Sequence, residues 1–113
     1  MANSFKNKKV DLTTTDLTTL YTVPSATTTV IKSLLVSDDS GSGTTIDITL
    51  VNSSGTIFNL FKSKSISGNA TTELLSQPLV MEESEVLKVQ SGYANRLHVV
   101  ASVLEIQPRE VTA

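Results

Sequence analysis

Apolar and polar residues alternate along most of this chain in short runs, with a period of two rather than 3.6. Residues 44–52 show the pattern most clearly: Ile46, Ile48 and Leu50 fall on one face, Thr45, Asp47 and Thr49 on the other. Ser53-Ser54-Gly55 is a hairpin signal, and residues 56–64 return with Ile57 and Phe61 on one face and Phe58 and Leu60 on the other. Upstream, residues 10–15 read as a short extended piece with Val10 and Leu12 together. Residues 17–23 read as a strand ended by Pro24, which removes an amide donor. Ser25-Ala26 turns the corner into residues 27–37. There Val30, Leu34 and Val36 share a face interrupted by Lys32, while Ile31 and Leu35 take the other. Downstream, strands are predicted over 71–76, briefly over 79–81, over 85–90 with Leu87 and Val89 inward, and over 96–107. The last is apolar on both faces, Leu97, Val99, Ala101 and Val103 against Val100, Leu104 and Ile106, which predicts a central strand.

No segment combines a helical period with caps. About eight short strands with turn signals between them predict an all-β chain, folded as a single antiparallel β-sandwich of Ig-like or jelly-roll type. With 113 residues the chain is one domain. Residues 1–9, polar apart from Phe5, are expected to be a flexible N-terminal arm, 10–107 the sandwich, and 108–113 a C-terminal tail. Such an arm can order on a neighbouring subunit, so Phe5, Lys8, Lys9 and Val10 are the candidate interaction residues, with Phe5 as the anchor.

Composition sharpens this picture. Serine and threonine make up roughly a quarter of the chain, and charged residues only 18%. The polar faces of the strands are therefore paved with hydroxyls, which suit a half-exposed pleated surface. A surface with few charges to desolvate is suited to packing against other protein. A small hydroxyl-rich sandwich also gains stability by association, so a homo-oligomer is expected. The net charge of −2 gives no electrostatic steering toward nucleic acid, and no nucleic-acid partner is expected. The start M-A-N-S-F-K-N-K-K-V lacks an apolar stretch after its lysines, and no apolar run approaches a membrane span. Neither a secretory leader nor a membrane partner is expected.

The search for chemistry narrows the reading further. There is no cysteine, which excludes disulfides, thiol nucleophiles and cysteine-bound zinc. His98 is the single histidine and has no H-x-H or H-x-x-x-H companion, so it reads as a satisfied strand residue and no metal is expected. Asp38-Asp39-Ser40-Gly41-Ser42-Gly43 lacks the D-x-D-x-D-G spacing of a calcium loop and reads as a solvated turn. Gly41-x-Gly43 leads into a strand, which excludes a dinucleotide fingerprint. Glu82, Glu83 and Glu85 lie on a polar turn and read as solvated surface. With no nucleophile–base–acid constellation, no enzyme activity and no cofactor are expected. A carbohydrate platform is disfavoured by the absence of tryptophan and the presence of only two tyrosines and three phenylalanines.

The order of segments carries a resemblance. L-Y-T-V-P at 20–24 leads into T-T-T-V-I-K-S-L-L-V-S at 27–37, then T-I-D-I-T-L at 45–50, E-L-L at 73–75, V-L-K-V-Q-S at 86–91 and A-N-R-L-H-V-V-A-S-V-L-E-I at 94–106. Over residues 20–106 this resembles the small β-sandwich virion proteins of tailed bacteriophages, especially those of marine and cyanobacterial hosts. The resemblance implies a non-enzymatic virion component, assembled in the host cytoplasm and acting by multimeric β packing. Within that class a capsid decoration or cement protein on the major capsid protein is expected. A tail, neck or baseplate accessory bound to tail proteins, or a host-surface carbohydrate-binding module, are the alternatives. The resemblance transfers no functional residue, because the shared positions are strand and turn positions.

Overall fold

The computed structural model describes residues 2–107. Its regular elements are all strands: β1 (Ala2–Leu12), β2 (Thr18–Thr22), β3 (Thr28–Asp38), β4 (Thr44–Val51), β5 (Ile57–Ile66), β6 (Thr71–Glu73), β7 (Leu79–Met81), β8 (Val86–Ser91) and β9 (Leu97–Gln107). They form two antiparallel sheets packed as a sandwich. One runs β1-β9-β3-β6 with β7 also on β3, the other β2-β8-β4-β5. β7 pairs with Thr29, Val30 and Ile31 and β6 with Leu35, Val36 and Ser37, so the two are halves of one interrupted strand along β3. Counted so, there are eight strands. Every link except the β4–β5 hairpin crosses from one sheet to the other. That order is a jelly roll, which settles the choice left open by periodicity.

The core lies between the sheets. Ile31, Leu34 and Val36 from β3 and Leu97, Val99 and Ala101 from β9 meet Ile46 and Ile48 from β4 and Leu87 and Val89 from β8, all fully buried. β9 is central, flanked by β1 and β3, as its two apolar faces predict. In the β4–β5 hairpin, Asn52 Oδ1 accepts from Ser54 N, Ser54 Oγ and Thr56 N, and Gly55 takes a φ of 91°. The side-chain amide thus organises a turn that the sequence signals only by Ser-Ser-Gly.

Three expectations change. In β3 the register shifts between Ile31 and Ser33, which makes Lys32 an extra residue. This bulge advances the alternation by one, so Ile31, Leu34 and Val36 face inward and Val30 and Leu35 outward. In β5, Phe58 stands opposite Leu50 and Phe61 opposite Ile48, so these two share the inner face instead of opposing each other. The register shifts on either side of Ile48 place Leu60, and then one residue at Lys62–Ser63, outside the simple alternation. Third, residues 2–9, expected as a flexible arm, are continuous with Val10–Leu12 as β1, paired with β9 from Ala2 to Leu12. Their polar look has a physical reason: the positions that alternate inward include Lys6 and Lys8, whose charges are answered at the sandwich edge by Glu105 and by the Tyr21 ring. Met1 and the expected tail over 108–113 lie outside the described residues.

Candidate functional site

The β3 bulge decides what the outer face of the β1-β9-β3 sheet presents. Direct cross-strand partners lie on the same face of a sheet. Phe5 pairs with Leu104, Leu104 with Val30, and Val30 with Val80. One apolar row therefore crosses the whole sheet from β1 to β7. Phe5 is 77% exposed and Val80 58%, with Leu104 and Val30 half-buried between them. Ile106 lies half-buried beside the row. Four positions along β1, a second row runs Lys9, Val100, Leu35, Glu73, with a cation at the β1 edge and a carboxylate at the β6 edge. Phe5, Lys6, Asn7, Lys32, Ser102 and Val103 line a shallow hollow of about 430 Å³ next to the apolar row.

Of the four candidate residues, the strand puts Phe5 and Lys9 on this outer face and turns Lys8 and Val10 inward. Lys8 Nζ lies 5.9 Å from the centroid of the Tyr21 ring, and Val10 packs against the core. Period-two alternation divides a set that an arm would have presented together. Val30, Val80 and Leu104 were missed as a surface group, because only the bulge and the register of the short β7 bring them to one row.

A polar cluster between the sheets fastens this end of β1. Glu105, only 9% exposed, accepts from the Tyr21 hydroxyl at 2.6 Å and from Lys6 Nζ at 2.9 Å. The Tyr21 hydroxyl also lies 2.7 Å from Thr29 Oγ1. Burial opposes ionisation of Glu105, but the Tyr21 hydrogen bond and the Lys6 and Lys8 charges outweigh it and hold the carboxyl below its usual range. Burial and the neighbouring carboxylate push Tyr21 up to about 12. Glu73 serves the bulge: its carboxylate accepts from Ser33 Oγ, from Leu34 N at 2.7 Å and from Leu75 N at 3.2 Å. Those bonds overcome its partial burial and keep it ionised. It satisfies an amide that the interrupted strand leaves without a ladder partner.

The second exposed apolar surface belongs to β5, the edge of the other sheet. Ile57 is 59% exposed, Phe58 48% and Leu60 is also exposed. Phe58 points inward yet stays open. β5 and the interrupted β6/β7 strand are the sheet edges on the same side of the sandwich, and a strand broken between Glu73 and Leu79 leaves that margin incompletely covered.

Chemistry-bearing residues are dispersed. Among the described residues no group of three His, Cys, Asp or Glu side chains is placed to hold a metal ion. His98 lies on the outer face with Nε2 3.2 Å from Asp11 and Nδ1 3.9 Å from Asp39. A polar hollow of about 420 Å³ is lined by Thr15, Thr45, Asp47, Lys62, Gln90, Ser91 and Gly92, with Asp47 engaged by Ser63 N and Lys62. The arrangement offers apolar packing and strand edges rather than bond-making groups.

No family model matches the chain, and no curated protein matches it by sequence. Its fold is similar to that of a chain in the acidic stable capsid structure of Helicobacter pylori bacteriophage KHP30. The TM-score is 0.60 at 12% identity, covering 100% of this chain and 95% of that chain. At this identity the likeness is one of fold, and it extends across nearly the whole of both molecules.

Proposed function

We propose that the chain is a non-enzymatic structural protein of a tailed-phage virion, and that it decorates or cements the head by packing on the major capsid protein. The observation that carries this reading is the exposed apolar strand surface on both sheets, the Phe5–Val80 row and the β5 edge. Patches of this kind mark surfaces that other protein covers. The end-to-end likeness to a chain of a phage capsid structure, and the resemblance in segment order, support the choice of a virion over other assemblies. Burial of such surface is worth about 25 cal/mol per Å² before the costs of association, and many weak copies on one shell gain by avidity. The segment order resembles proteins of marine and cyanobacterial phages, whereas the structural neighbour comes from a Helicobacter pylori phage. The proposal therefore covers the virion role and names no host.

The test is co-sedimentation of the purified protein with expanded empty heads that lack it. Saturable binding at a fixed number of copies per head, with heads that then resist heating better, is expected. Absence of saturable binding defeats the head reading. Binding to tails, necks or baseplates instead would move the protein there, and binding to host-surface glycans would establish the carbohydrate-binding alternative.

A further inference from the structure

We propose that the outer face of the β1-β9-β3-β6/β7 sheet is a self-complementary interface. Its occupant is a second copy of this chain, related by a two-fold axis that runs parallel to the strands between β9 and β3. This does not depend on the virion reading.

The argument is one of symmetry. A face-to-face pair with that axis lays the β1 edge of each copy over the β6/β7 edge of the other, and β9 over β3. Positions along the strands are kept. Phe5 then faces Val80 of the second copy, and Leu104 faces its Val30, as their shared register requires. Four positions on, Val100 faces Leu35 and Lys9 faces Glu73, so the one cation of that row meets its one carboxylate, twice per dimer. The aligned packing angle of about 30° between stacked sheets shifts the edge pairs Phe5–Val80 and Lys9–Glu73 by roughly 5 Å, within reach of the Phe5 and Lys9 side chains, and the central pairs by less.

Other placements match worse. A two-fold axis across the strands midway between the rows sets Phe5 against Lys9 and Val80 against Glu73, apolar against charged. The same axis laid on the apolar row leaves the Lys9–Glu73 row without a partner. Area also favours the pair. Four strands about 4.8 Å apart and about 35 Å long offer roughly 600–700 Å² per copy. The total of about 1,200–1,400 Å² falls in the lower part of the range of stable interfaces.

The experiment is sedimentation equilibrium on the full chain, from low micromolar upward. A species of twice the 12.1 kDa chain mass is expected. F5E and V80K should each weaken it by about 100-fold or more, since each change occurs twice in the interface. The double variant F5E/V80K sets opposite charges against each other across the axis and should recover at least about tenfold over either single variant. L60K on β5 should leave the dimer unchanged. Both positions are largely exposed, and circular dichroism with thermal unfolding confirms that each variant is folded. A monomer at all concentrations overturns the proposal. So does a trimer, an oligomer that L60K breaks and F5E does not, or a double variant no tighter than the singles.

Discussion

Tyr21, Glu105 and Lys6 join three strands from both sheets through two short hydrogen bonds to one nearly buried carboxylate. Y21F removes the hydroxyl that satisfies Glu105 and Thr29 without changing the ring, and should cost about 1–3 kcal/mol in chemical denaturation. The pH dependence has two limbs with opposite signs. Glu105 and Glu73 have folded values below the ordinary 4.5, so they favour the folded state above that value, and the contribution is lost as pH falls through the lowered value. Tyr21 is raised from 10 to about 12, so its contribution is complete below pH 10 and disappears as pH rises toward 12. Stability should thus be level across the neutral range and fall at both ends. E105Q should flatten part of the acid limb, and Y21F the alkaline one. None of this was legible in the sequence. Lys6 and Lys8 read as part of a polar arm because their partners lie on β2 and β9, far along the chain.

At the scale of elements, the pattern revealed which segments are strands better than which way their side chains point. β4, β8 and β9 have uninterrupted alternation: the inward residues of β4 and β8 were read correctly, and β9 was read as a central strand with its two faces sorted. β3 and β5 contain bulges, and there a single extra residue reverses the reading of everything beyond it. The consequence for β3 is measurable. L34A should destabilise by about 2–5 kcal/mol as a cavity in the core, whereas L35A on the outer face should change the stability of the monomer by no more than about 0.5 kcal/mol. Unbroken alternation from Val30 would predict the reverse. The candidate interaction residues divide for a related reason. Phe5 and Lys9 belong to the exposed face and Lys8 and Val10 to the packed one, a division visible only once β1 is known to be a strand.

On the scale of the whole molecule, the strand order accounts for what composition left open. The turn signals predicted a sandwich, but strand order depends on pairings between distant segments, which periodicity does not carry. β1 is an edge strand along its full length on β9, so deleting residues 2–9 removes most of one edge of the sheet and bares the ladder groups of β9. The truncated chain is expected to unfold at lower denaturant than the full one and to aggregate where the full chain stays dispersed, as read by urea titration and light scattering.

The position of β9 also governs when the protein can come into being. It is the last of the described strands in chain order and the one that joins β1 to β3. Until residues 97–107 are added, β1 has no neighbour in its sheet and the core lacks Leu97, Val99 and Ala101. A nascent chain can form the β4–β5 hairpin early, but the sandwich closes only after residue 107 has left the exit tunnel. A product cut short before β9 lacks the strand that joins β1 to β3 and is a target for proteases rather than a partly working copy.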